Sequence, residues 1–241
     1  MPNSIRRPSD ARVATRGAVP CGLVLAIAVF PCGLLAQHAP KELPAAATSQ
    51  LARSLAAASR HERHLWRDTP PTNADGTVNA YIEIPRGDRR KYEFDMSRNT
   101  RAIDRVISKQ VGGYPVNYGF VPQTVSYDGD PFDVLVLGPP LPGGNMVRGV
   151  IVGLMYMEDE KGLDSKVVLS RLTPDGRASF DLTPQIADEI ADYFRRYKQR
   201  EPGKFSNVPG WGTVAEGRDL VTTAHAFFQR CPKYAGAACR L

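Results

Sequence analysis

Short apolar stretches punctuated by turn residues fill the chain from Val78 to Leu169, and this pattern constrains the fold most. Val78-Asn79-Ala80-Tyr81-Ile82-Glu83-Ile84 is rich in β-branched and aromatic residues, and Pro85-Arg86-Gly87 turns the chain. Lys91-Tyr92-Glu93-Phe94-Asp95 alternates, with Lys91, Glu93 and Asp95 on one face and Tyr92 and Phe94 on the other. Arg101 to Val106 and Val116 to Pro122 read as further strands. Val147 to Met157 is a long apolar one, and Lys166 to Leu169 returns from it. Many short strands separated by turns predict an antiparallel barrel or sandwich. The period then changes. Thr183-Pro184 predicts an N-cap with Pro in the first turn of a helix to about Arg200, with Ile186, Ile190, Phe194 and Tyr197 as its apolar stripe. A Gly/Pro-rich loop from Gly203 to Gly212 precedes a second helix over roughly Arg218 to Arg230.

One stretch inside the strand-rich region carries chemistry. Asp128-Gly129-Asp130-Pro131-Phe132-Asp133 sets three carboxylates within six residues and runs into Val134-Leu135-Val136-Leu137. Like charges this close repel unless a cation joins them. Gly129 lets the backbone bend and Pro131 fixes the next turn, so Asp128 and Asp130 can point to one side with Asp133 near both. Hard oxygen ligands suit Mg²⁺, with Mn²⁺ as an alternative, better than zinc. The plain alternative is an acidic surface turn before a strand.

The ends of the chain bear on its address. Four arginines lie in the first seventeen residues, followed by the apolar run Gly17 to Ala36, which predicts a secretory signal over 1–36 with Ala36 as the cleavage point. An anchor formed by 17–36, or a cytoplasmic chain, are the alternatives; Pro20 and Pro31 make the run a poor membrane span. Export puts the protein in the periplasm or outside the cell, with no stable membrane insertion after cleavage. Without residues 1–36 the formal charge falls from +6 to +3, interspersed with acids, which argues against nucleic acid as a partner. Cys21 and Cys32 leave with the signal. Cys231 and Cys239 remain as a disulfide pair closing a short loop, or as two thiols on a loose tail. Residues 37–60 are Ala-rich and read as a linker or marginal helix outside a domain over 61–241. His61-Glu62-Arg63-His64 reads as a solvated segment, since no further ligand follows at metal spacing.

Taken together, Tyr118-Gly119-Phe120-Val121-Pro122 and the Asp128–Asp133 stretch give a chain that resembles the family I soluble inorganic pyrophosphatases. Further matches follow in that family's order: Ile82-Glu83-Ile84-Pro85, Lys91-Tyr92-Glu93, Asp104-Arg105, Tyr114-Pro115 with Asn117, Asp159, Asp164 with Lys166, and Tyr197-Lys198. The resemblance runs from about Trp66 to Phe228. It implies an α+β, mainly β fold: a five-stranded OB-like closed barrel with two principal helices packed against it, assembled as a homo-oligomer, a hexamer in most bacterial members. It also implies Mg²⁺-dependent hydrolysis of inorganic pyrophosphate to two orthophosphates by direct attack of a metal-activated water.

Carried over by position, the resemblance makes Asp128, Asp133 and Asp164 ligands of the tighter Mg²⁺ sites. Asp159 and Glu93 hold further metals, and Glu83 stands behind them. Asp130 resembles the residue that activates water. Lys91, Arg105, Tyr118, Lys166, Tyr197 and Lys198 match phosphate contacts, with Lys91, Arg105 and Tyr118 also counted as catalytic. Singly, each has a structural reading: Lys91 and Glu93 a charge pair on one strand face, Tyr197 a core residue, Lys198 its solvated neighbour, Asp159 and Asp164 the flanks of a hairpin turn. A metal phosphohydrolase of broader range and an oligonucleotide-binding barrel are the competing functions. The second would need a basic groove, and this one is acidic.

Overall fold

The computed structural model describes residues 40–241, so the expected signal, its cleavage point, Cys21 and Cys32 lie outside the described residues. In chain order, strand β1 (Glu42–Leu43) and helices α1 (Ala45–Ala58) and α2 (Leu65–Asp68) lead to strands β2 (Val78–Ile84), β3 (Arg90–Asp95), β4 (Thr100–Val106), β5 (Asn117–Phe120) and β6 (Asp133–Val136). Then come β7 (Met146–Asp159), β8 (Gly162–Leu163), β9 (Lys166–Arg171), helix α3 (Pro184–Arg196), β10 (Ser206–Gly212), helix α4 (Val214–Arg230), a 3₁₀ turn at Cys231–Tyr234 and β11 (Cys239–Arg240).

The long apolar strand is the spine. The start of β7 pairs with β2, its middle with β9 and its end with β10 and the short β8, all antiparallel. From β2 the pairing continues through β5 to β6, which runs parallel to β9. The hairpin β3–β4 and the pair β1–β11 stand as separate two-stranded sheets. The mainly β class with few helices is as expected. At Gly119 the strands β2 and β5 approach so closely that a Cβ would lie 1.7 Å from the Tyr81 carbonyl oxygen; only glycine fits there.

Alternation sorts the central strands into two apolar layers. Val134, Val136, Leu154, Tyr156, Val167 and Leu169 pack with Leu220, Val221 and Ala224 of α4. Leu135, Leu137, Met155, Met157 and Val168 pack with Ile190, Ala191 and Phe194 of α3. Strands covered on both faces have no need of a polar face, which is why they read as unbroken apolar runs. Each such side chain contributes about 1.5–3 kcal/mol of burial.

Five expectations change. Helix α3 ends at Arg196, with Tyr197 as its cap, four residues before Arg200. The segment expected as a loop from Gly203 to Gly212 contains β10, an edge strand on β7 with a register shift between Asn207 and Gly210. Pro209 is tolerated there because an edge strand can do without one ladder donor. Helix α4 begins at Val214, ahead of Arg218, because Thr213 and Glu216 form a reciprocal capping box. The Ala-rich stretch, read as a linker or marginal helix outside the domain, is helix α1 and packs on it: Ala47, Leu51 and Ala58 are buried with Trp66, Phe227 and Cys239. His64, read as solvated, is buried: its ring accepts from Arg67 N at 3.3 Å to cap α2, and its other ring nitrogen contacts the Met96 carbonyl at 3.0 Å. Cys231 and Cys239 are joined by a disulfide.

Candidate active site

The acidic stretch is the turn between β5 and β6. Ser126 N donates to Asp130 O at 2.6 Å and Gly129 N to Ser126 O at 3.0 Å, closing a loop that needs φ of +92° at Gly129. The loop turns Asp128 and Asp130 toward one ammonium, Lys161 Nζ, at 3.0 and 3.5 Å. Asp133 opens β6 beside Lys166, which opens the parallel neighbour β9, and Nζ to Oδ2 is 2.5 Å. Asp164, in the link from β8 to β9, is 2.9 Å from the same Nζ. Asp159 ends β7, and the chain beyond α3 brings Lys198 Nζ to it at 2.6 Å and to Glu160 at 2.9 Å. From the β3–β4 hairpin come Lys91, 2.6 Å from Glu93 and 3.5 Å from Asp104, and Arg105, which meets Asp104 at 2.5 Å and Glu201 at 2.8 Å.

These groups face one cavity of about 580 Å³. Glu83, Lys91, Glu93, Arg105, Tyr118, Asp128, Asp130, Asp133, Asp159, Asp164, Tyr197 and Lys198 all line it. Lys166 does not; it lies behind the wall at 1% exposure, tied to Asp133 and Asp164. Lys91 and Glu93 are the strand-face pair of their structural reading and also cavity residues. Tyr197 is both core and lining. Lys198 is buried, not solvated. Ten acidic side chains line the cavity against six basic ones, so as it stands it has an excess of acid.

That excess shows in the titration of the carboxyls. Crowding by protein, then the charge of Asp128, pushes Asp130 up to about 7, although half of its side chain still meets solvent. Burial likewise lifts Asp164 to about 7, with Lys166 pulling down and Asp133 pushing up. Glu83, fully enclosed and facing Asp133 and Glu93, lies well above the carboxylate range. For Asp128 burial is the largest single influence, but Lys161 and hydrogen bonding from Asp130 together outweigh it, and it lies below its ordinary value. Burial works to lower Lys166 too, but Asp133 and Asp164 dominate and raise it. Tyr118 and Tyr197 are raised by burial and then by nearby carboxylates, so both keep their hydroxyl protons.

Sequence reading missed several members. Glu160 and Lys161 looked like an ordinary hairpin turn, and Glu201 lay in a stretch without pattern. Gln50, Arg53, Ser54 and Ala57 of α1 also line the cavity, and an Ala-rich stretch gives no hint of that. Among the described residues no three His, Cys, Asp or Glu side chains form a ready cage for a cation, because lysines stand between the carboxylates.

A family model described as inorganic pyrophosphatase matches residues 80–229. An inorganic pyrophosphatase of Saccharolobus solfataricus is 40% identical over 162 residues, 64% of this chain and 94% of the relative. One of Rhodospirillum rubrum is 41% identical over 157 residues, 62% of this chain and 87% of the relative. The crystal structure of inorganic pyrophosphatase from Thermus thermophilus superposes with a TM-score of 0.63 at 34% identity, covering 69% of this chain and 99% of that one. The matched segment spans the strands from β2 to β10 and holds every acid and base that the sequence singled out for the cavity. The chain belongs to the inorganic pyrophosphatase family.

Proposed function

We propose that the protein hydrolyses inorganic pyrophosphate to two orthophosphates, using Mg²⁺ held by the cavity carboxylates. One observation carries this reading: bases suited to phosphate are ion-paired with acids around a single cavity, Lys91 with Glu93, Lys198 with Asp159 and Arg105 with Asp104. A divalent cation and a polyanion arriving together can exchange those partners, acids to metal and bases to phosphate, leaving no buried charge alone.

The donor set fits a hard cation. Asp128, Asp133, Asp159, Asp164 and Glu93 would hold it, with Glu83 behind them, and the raised Asp130, Asp164 and Glu83 mark a place short of positive charge. When bound, Mg²⁺ supplies charge neutralisation and a water acidic enough to attack at neutral pH. Asp130 would orient that water or take its proton. Arg105 offers a planar fork to phosphate oxygens once Asp104 and Glu201 let go, and Lys91 and Lys198 act as point charges. Lys166 reaches phosphate only by releasing Asp133 or Asp164. Tyr118 and Tyr197, kept protonated, donate to the leaving phosphate as its charge grows.

Phosphate release from pyrophosphate with and without Mg²⁺, beside ATP and tripolyphosphate, tests the reading. Fast metal-dependent turnover confined to pyrophosphate is expected. Equal turnover of ATP would mean a broader phosphohydrolase, and no turnover by folded, Mg²⁺-supplied protein would sink the proposal.

We also read the pairings β2–β5–β6–β9–β7, with β7 returning to β2, as the closed five-stranded OB-like barrel. Assembly as a homo-oligomer and export by residues 1–36 belong to the same proposal, supported by the family resemblance and by the leader's composition. Sedimentation at working concentration and fractionation of the source cell test them: a monomer, or mature protein confined to the cytosol, would refute each in turn.

A further inference from the structure

Helix α1 precedes the family-matched segment, yet it is a wall of the catalytic cavity. Its backbone presses on the turn that carries Asp128 and Asp130. A methyl placed on Gly129 would stand 2.6 Å from Gln50 Cβ and 2.9 Å from Ala47 O, so the helix and the turn meet without space for a side chain between them. Gln50 also accepts from Arg53 at 2.7 Å, which steadies that guanidinium at the cavity.

Beside the apolar contacts of Leu51 and Ala58 with Trp66 and Phe227, the far end of the chain holds the helix there. Leu43 of β1 pairs with Cys239 of β11, and Glu42 pairs with Arg240. Thr48, buried in α1, donates to the Ala237 carbonyl at 2.7 Å. Ala237 and Cys239 lie in the short loop that the bond from Cys239 to Cys231 closes at the end of α4. A continuous path of contact therefore runs from the disulfide through β11 and α1 to Gly129.

We propose that α1 positions the Asp128–Asp130 turn through Ala47 and Gln50, and that the Cys231–Cys239 bridge clamps the helix in that place, making the site's competence depend on the redox state of the pair. This rests on the reading of Asp128 and Asp130 as working acids. Opening the clamp takes a dithiol: its two thiolates attack in succession, the S–S bond breaks, two electrons and two protons pass to Cys231 and Cys239, and the reagent closes to its own disulfide. The loop from 231 to 239 is then free to leave Thr48 and Leu43, and α1 loses its hold on the turn.

The test uses the oxidised full chain, the same protein reduced with dithiothreitol and checked by thiol titration, the C231S/C239S double variant, and Gln50→Ala beside Gln50→Met. Hydrogen exchange of the backbone amides of 126–130 is read together with kcat, KM for pyrophosphate and the Mg²⁺ concentration for half-maximal rate. Reduction and the double variant are expected to strip protection from 126–130 while β6 and β9 stay protected, with kcat falling by about tenfold or more, the scale on which small misplacements act. Gln50→Ala is expected to lower kcat and raise the Mg²⁺ requirement with KM little changed. Gln50→Met, which keeps the packing and loses the bond to Arg53, should restore most of the rate. Unchanged protection at 126–130 in bridge-free protein, or a Gln50→Met as impaired as Gln50→Ala, overturns the proposal. Oxidised wild-type protein without any turnover counts against the pyrophosphatase reading instead, and the exchange data then judge the clamp alone.

Discussion

Lys166 is enclosed between the half-buried Asp133 and Asp164, so removing its charge leaves two acids uncompensated in the cavity wall. Lys166→Met is expected to cost about 3–5 kcal/mol of metal-free stability. Urea unfolding with and without Mg²⁺ checks this, and added Mg²⁺ should recover more stability in the variant than in the wild type. Asp130→Asn should keep the fold and lower kcat by roughly 10²–10⁴-fold, the usual share of a general base. A phosphate-release assay on a variant with unchanged melting decides it. The raised Asp164 gives a pH dependence with a definite sign. An unfolded Asp loses its proton near 3.8 and this one near 7, so the metal-free fold keeps a proton between those values that the unfolded chain has released. For this group metal-free stability declines as pH rises through that window and levels above it. A cation competes with that proton, so Mg²⁺ should bind more tightly at pH 8 than at pH 6 and release protons on binding. Calorimetry in two buffers of different ionisation heat reads both. The identities of Asp128, Asp130, Asp133, Lys166 and Lys198 were legible in the sequence as a set. Which acid each base faces was not: Lys161 to Asp128 and Lys198 to Asp159 are pairings across the fold, and spacing along the chain carries no trace of them.

Among the elements, several with a local signal were read correctly, though the Thr213–Glu216 capping box that starts α4 was overlooked. The apolar run of β6, the long β7 and the Thr183-Pro184 start of α3 each rest on neighbouring residues. β10 has no such signal, because Pro209 and Gly210 are turn residues in isolation and become strand only beside β7. α1 was misjudged for a related reason: Leu51 and Ala58 are buried by Trp66 and Phe227, partners that the helix's own sequence does not announce. Two substitutions probe this scale. Gly119→Ala would drive a methyl into the Tyr81 carbonyl and part β2 from β5, an overpacking expected to cost about 3 kcal/mol or more, measured by the unfolding midpoint. Thr213→Ala removes one arm of the α4 capping box and should cost about 1 kcal/mol without altering the rate.

At the scale of the molecule, the pair β1–β11 sets Glu42 opposite Arg240, joining positions almost two hundred residues apart. Contacts of such separation form late, since the whole intervening chain must first be brought to order. At about 5–20 residues per second a ribosome takes roughly 10–40 s between making the two strands. Throughout that interval β1 has no partner and α1 no clasp, while the central strands are already being completed. The wall that closes over the cavity is therefore among the first parts synthesised and the last to be seated. A chain that stalls a few codons short of Arg240 would carry the acids and bases that line the cavity and leave helix α1 undocked.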